Sequence, residues 1–315
     1  MSVSIKAGAV VAEAVEFGWR RLPAVLRFAW APMLFASMVT VGALGVLFDP
    51  AGVAAEGAVD GVAVGDPWSV MRAPGWIVGI AGLVLSALWC IVLGGVYTDI
   101  FRLVATGEDA GRFVNVRLDG PAFRTAAAFT MMILLNLVLT VVAALVAQSV
   151  TGVGVGEAIS NYFKLIRWTA AAGGAAGQPP VEIVDGVVAS VSLFLTTALL
   201  SVVPGLYLST KLAPFPAGTA VEDRLIPLKS FRVTRGHAWS ILAALLLLSA
   251  ALGLLSLVLG MAFGILDLVG QTLGGAGVLL NAISALAQAG LQFFAFGAQA
   301  AFGAIIYRRL VVEPA

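Results

Sequence analysis

The sequence predicts an all-α integral membrane protein: six transmembrane helices, an N-terminal amphipathic interfacial helix, and both termini in the cytoplasm. Three observations carry this prediction. First, 60% of the 315 residues are hydrophobic and 11% are charged, against roughly 25% charged residues in a soluble domain. Second, several apolar runs reach the ~18 residues that a helix needs to cross a hydrocarbon core of about 30 Å. No water pairs with the backbone inside lipid, so such runs fold as helices, which bond internally. Third, the basic residues are unevenly placed. If the spans alternate, fifteen of the 18 Lys and Arg fall on one side, and only Arg72, Lys164 and Arg167 fall on the other. Loops rich in Lys and Arg stay in the cytoplasm.

Residues 1–23 form the amphipathic segment. Val11, Val15, Trp19 and Leu22 share one helical face, opposite Lys6, Glu13, Glu16 and Arg20, while Val10 and Phe17 break the pattern. Glu16 and Arg20 are a favourable i,i+4 pair. Such a helix rests in the membrane interface with Trp19 as anchor, or extends the first span into the cytoplasm. Glu13 and Glu16 stand where the apolar core of a cleavable signal peptide belongs, so the first span is expected to act as the insertion signal.

The transmembrane domain is residues 24–315, with spans at about 24–48, 76–97, 125–147, 184–208, 241–266 and 278–307. Asp49-Pro50 ends the first span, and a Gly/Ala-rich acidic loop, 49–75, follows it. A polar stretch with Arg102, Arg112, Arg117 and Arg124 separates the second and third spans. Gly152-Val-Gly-Val-Gly156 lacks the preceding strand and following Lys-Ser/Thr of a phosphate loop and reads as a flexible turn within the loop 149–180. Residues 157–168 form a second amphipathic helix. Ile159, Tyr162, Phe163 and Ile166 share its apolar face, and Ser160, Lys164 and Arg167 face away; Ala170–Pro180 is a linker. Three basic, aromatic stretches, GWRRLPAVLRFAW, GRFVNVRLDGPAFR and LKSFRVTRGHAW, each precede a pair of spans and suggest a weak threefold repeat.

The segment Pro204–Ser240 carries five basic residues and the only histidine, His237. Thr219 and Glu222 fit a capping box that starts a helix near Ala220, Gly236 fits its stop, and Pro227 should kink or divide it. Arg224, Lys229, Arg232, Arg235, His237 and Trp239 form a candidate surface for anionic lipid headgroups or an acidic partner. The alternative is that these charges only set topology. Pro214 or Pro216, Ser230, Thr234, Arg235, Gly236 and Trp239 lie in an arrangement that resembles the segment before the penultimate span of a group of bacterial polytopic proteins. That group includes the membrane domain accompanying some glycerophosphoryl diester phosphodiesterases, together with free-standing uncharacterised relatives. The resemblance implies an amphipathic helix followed by six spans. It does not imply the phosphodiester chemistry, which requires several His and acidic ligands where this chain has one His.

In the sixth span Asn281, Gln288, Gln292 and Gln299 fall on one helical stripe, and Asn136 of the third span is a potential partner. Such a stripe either lines a polar path or bonds neighbouring helices. Asp99, Glu182, Asp185 and Asp267 lie near predicted helix ends, where water is expected to reach them. Gly260-x-x-x-Gly264 permits close helix packing. No Ser/His/Asp set, metal-ligand cluster or cofactor motif is legible, and Cys90 is the only cysteine. The function expected is a non-enzymatic accessory, scaffold or lipid-interacting protein of the bacterial inner membrane, or alternatively a transporter or channel for a small solute or lipid. The expected partners are membrane lipids, anionic ones included, and a protein or a second copy of the chain. No cofactor, metal or nucleic acid is expected.

Overall fold

In the computed structural model, which describes residues 5–47, 75–109, 117–171, 180–272 and 275–313, no strand is present among the described residues. In chain order the helices are α1 (Ala7–Arg20), α2 (Leu22–Leu47), α3 (Gly75–Thr106), α4 (Gly120–Thr151), α5 (Val155–Ala171), α6 (Val181–Leu212), α7 (Phe215–Glu222), α8 (Pro227–Val233), α9 (Ala238–Thr272) and α10 (Gly275–Tyr307), closed by a π-helical turn, Arg308–Val312. Six of them (α2, α3, α4, α6, α9 and α10) are long and apolar enough to cross a membrane, the architecture of a multi-pass membrane protein. The loop 49–75 lies outside the described residues except for Gly75.

The spanning helices are longer than the apolar runs suggest. The second runs on to Thr106 instead of stopping near Tyr97, and α3, α4 and α6 each have 32 residues. At 1.5 Å per residue that is about 48 Å, well beyond the hydrocarbon thickness, so their ends project past the apolar core. The extension is possible because charges beyond the apolar run find partners: Arg102 donates to the Ala220 carbonyl at 3.1 Å, and Asp99 pairs with Arg117. Asp99 is therefore not the water-reached end residue expected; its side chain is 3% exposed.

The chain divides into two compact units. One comprises residues 1–34, 90–130 and 207–315. Its core includes an aromatic group in which Tyr97 lies 4.5 Å from Phe129, 4.6 Å from Phe296 and 5.4 Å from Phe101, ring centre to centre. Helix α1 packs on α10 through Val10, Ala14 and Gly18, and a Cβ at Gly18 would stand 3.0 Å from the Phe294 carbonyl oxygen. Val10 turns inward, while Trp19, the assigned anchor, is 72% exposed with its ring edge on Phe294. Small residues win the contact face because they let two helix backbones approach closely. The expected Glu16–Arg20 pair forms at 3.0 Å.

The other unit comprises residues 35–89 and 131–206. Ala147, Ala158 and Leu193 form its buried apolar cluster, with Val153 and Val155 against it. The turn between α4 and α5 contains Gly152 at φ +74°, a left-handed conformation suited to glycine. Helix α5 docks through Ala158 and Asn161, whose Nδ2 donates to the Gly186 carbonyl at 3.2 Å. Ile159 and Tyr162, half of the expected apolar stripe, are exposed; the side chains of Phe163, Ile166 and Arg167 lie outside the described residues. The docking face joins apolar Ala158 to polar Asn161, which meets the backbone of Gly186 directly.

Gly94 permits the close approach of α3 and α4. A Cβ at Gly94 would stand 2.7 Å from both the Ala122 carbonyl oxygen and Ala126 Cβ, whereas Gly82 of the same helix has open space. Replacing an exposed helical glycine by alanine gains up to ~1 kcal/mol of helix propensity, and overpacking costs ~1–3 kcal/mol. Gly82→Ala should therefore hold or raise the thermal unfolding midpoint in detergent, and Gly94→Ala should lower it by several degrees.

Candidate functional site

Charged residues of the first unit concentrate where its helices begin and end. The most buried of these charges is Asp99 of α3, which accepts a hydrogen bond from Arg117 Nη1 at 2.8 Å; Arg117 Nε donates to Asp119 at 2.7 Å. Asp119 in turn accepts from the Ala122 backbone N–H at 3.1 Å, capping the first turn of α4. Burial alone would pull the Arg117 pKa down. The hydrogen bonds and charges of Asp99 and Asp119 outweigh it and raise the pKa, so the guanidinium stays charged.

A second centre is Glu222, the last residue of α7. Its carboxylate accepts from Tyr307 at 2.8 Å, from Arg224 at 2.9 and 3.2 Å, and from Lys229. The expected capping box does not form. Pro214 and Pro216 set the helix start at Phe215, one turn earlier, so Thr219 lies inside α7, fully buried, and its hydroxyl has no partner among the described residues. Pro227 does divide the segment, as the first residue of α8. Gly236 does not end that helix directly; it sits at φ +89° in the turn between α8 and α9. Glu13 of α1 is a third centre, paired with Arg308 and, at 2.7 Å, with Arg309. Arg308 also donates to the Val104 carbonyl at 3.2 Å. Arg27–Asp109, Arg124–Asp223 and, at 3.9 Å, Arg308–Glu313 are further pairs among the described residues.

Helix α8 has two faces. Inward are Ile226, Ser230 and Thr234, spaced at i, i+4, i+8. Ser230 Oγ donates to the Lys211 carbonyl at 2.8 Å, Thr234 Oγ1 donates to the Ser230 carbonyl at 2.9 Å, and Ile226 packs on Gly218. Outward are Leu228, 84% exposed, and Arg232, with exposed Arg235 and the 82% exposed Trp239 following in the turn and α9. The predicted basic group is thus split. Arg224 and Lys229 are taken by Glu222, whereas Arg232 and Arg235 form no ion pair with the described residues. His237 is half-buried, and its backbone N–H closes the turn on the Thr234 carbonyl at 3.2 Å.

The polar stripe of α10 borders that helix's buried face, which includes Ser284, Phe294 and Ala298. Gln288 donates to Ser284 of its own helix at 3.2 Å, and Gln292 and Gln299 are exposed. Asn281 is exposed with its amide oxygen over Gly270 of α9. Asn136 donates to the Met132 carbonyl of its own helix at 2.9 Å. Comparison with known proteins finds no matching family model, no matching curated protein and no matching solved structure.

Sequence reasoning missed the three carboxylate centres. Glu222 ends its helix, whereas Glu13 and Asp99 lie within theirs, in a chain with abundant arginine, and that composition was visible. The partners are up to 296 residues apart, and nothing in local spacing links them.

Proposed function

We propose that this is a non-enzymatic protein of the bacterial inner membrane, with both termini in the cytoplasm, that engages anionic lipid through the outward face of α8 and the start of α9. The observation that carries this reading is the sorting of charge and apolar surface there. Glu222 neutralises Arg224 and Lys229, while Arg232 and Arg235 stay exposed beside Leu228 and Trp239. A cation near an anionic bilayer surface contributes about 1 kcal/mol, and an adjacent Trp and Leu favour the headgroup boundary. The likeness to the free-standing polytopic proteins is consistent with this reading. Of the residues that carry it, Ser230 and Thr234 hold the corner together, and Arg235 and Trp239 face outward.

The test uses Cys90→Ser protein with Leu228→Cys carrying a bimane dye, reconstituted in bilayers. Brominated phosphatidylglycerol should quench the dye more than brominated phosphatidylcholine at equal content, and Arg232→Gln with Arg235→Gln should remove the preference. Equal quenching by the two lipids in the unsubstituted background contradicts the reading.

A second reading, a polar path for a small solute or lipid, is favoured by one observation: Gln292 and Gln299 are exposed rather than spent on helix packing. On this reading cysteines placed singly at Gln288 and Gln292 in the Cys90→Ser background react quickly with a charged thiol reagent in intact membranes, while controls at Leu280 and Phe294 stay silent. Silence at both glutamine positions contradicts it.

A further inference from the structure

A cavity of about 260 Å³ opens in the first unit between α1, the end of α3 and the end of α10. Five charged side chains line it: Glu13, Glu16, Arg20, Arg21 and Arg308, with Phe17 and Ile305 among its apolar walls. It shares no residue with the α8 surface discussed above. We propose that this cavity binds a phosphate group, either free or carried on a lipid headgroup.

Three guanidiniums line the cavity against two carboxylates, and both carboxylates are already engaged. Glu13 is held by Arg308 and by Arg309 behind it, and Glu16 by Arg20 at 3.0 Å. Arg21 forms no ion pair with the described residues, and the buried Nε of Arg308 donates no hydrogen bond among them. The Arg20–Glu16 pair is largely exposed, 76% and 53% on its two sides, so it is weak and easily exchanged for a ligand oxygen. The site therefore offers one free guanidinium, Arg21, and a second, Arg20, that is readily released, with the paired Arg308 adding its charge to the wall. A guanidinium presents a planar fork of donors that matches phosphate oxygens.

Size narrows the class further. Pockets that enclose drug-sized molecules run from roughly 300 to 1,000 Å³, so this cavity suits a phosphate with a small polar substituent. Its place at the ends of α3 and α10 is consistent with that limit, since chains of a bound lipid would remain outside, along the apolar helices. The two glutamates disfavour polyanions, which would meet them at close range.

The experiment follows thermal unfolding of delipidated full-length protein in maltoside detergent. It is titrated with dihexanoyl phosphatidylglycerol below its micelle-forming concentration, and separately with inorganic phosphate, with acetate as the control anion. Saturable stabilisation is expected from at least one phosphate compound and none from acetate. Arg21→Gln should weaken it about tenfold or more, the loss expected for a charged hydrogen bond. Arg20→Gln with Arg21→Gln should abolish it, and Arg235→Gln, on the α8 surface, should leave it unchanged. Saturation by lipid alone assigns a headgroup site, and saturation by both assigns a site for the phosphate itself. No saturable response, an equal response to acetate, or a response that survives the double substitution overturns the proposal. The Arg21 side chain is exposed and forms no ion pair with the described residues, so its substitution reads ligand binding rather than folding.

Discussion

Asp99 sits on a membrane-spanning helix with its carboxylate 3% exposed, and the fold of the first unit depends on what it meets there. A carboxylate withdrawn from water costs several kcal/mol unless a well-placed counter-charge and hydrogen bonds replace the solvent. Arg117 supplies both, and its second contact, to Asp119, ties the same guanidinium to the cap of α4. One side chain therefore joins the interior of α3 to the start of α4. The glycines do the matching steric work: Gly94 and Gly95 bring α3 against Ala122 and the Arg117 carbonyl, where a Cβ would stand 2.7–2.8 Å away. The hydroxyl pair Thr98–Thr125, at 2.9 Å, satisfies two further buried polar groups at that contact.

The same rule governs the other helix ends. Glu13 draws the C-terminal arginines to α1, and Glu222 gathers Tyr307, Arg224 and Lys229 around the end of α7. These pairs hold together elements that meet at their termini, where lipid gives apolar helices little reason to associate. They also decide which cations are left over. Arg21, Arg232 and Arg235 form no such pair with the described residues, and they mark the two places where the proposed anionic ligands bind.

The six spans were legible because a ~30 Å apolar slab imposes a length and a composition that few other constraints imitate. The extent of each helix was less legible. Helix α3 runs nine residues past Tyr97, because Arg102 and Asp99 find partners that only the fold brings near. The protein-packed face of α1 was not legible, for a related reason. Hydrophobic patterning favours Val11, Val15 and Trp19, but close backbone packing selects Val10, Ala14 and Gly18. At the α7–α8 segment Pro227 announced the break, yet the prolines upstream fixed the helix start and turned the expected cap, Thr219, into a buried interior residue. The candidate basic surface was half legible. All its members were visible, but the division into paired Arg224 and Lys229 and unpaired Arg232 and Arg235 depends on where the Glu222 carboxylate points, which no spacing reveals.

The most direct test of this account is the stability of the Asp99–Arg117 pair, read by thermal unfolding of the purified protein in detergent against the exposed Arg20–Glu16 pair. Arg117→Gln should destabilise by about 3–5 kcal/mol, because it takes the counter-charge from a buried carboxylate, and Asp99→Asn added to it should recover much of the loss. Arg20→Gln should cost less than about 1 kcal/mol. If Arg117→Gln costs no more than Arg20→Gln, and the second substitution recovers nothing, the buried pair does not hold these helices together and the account is wrong.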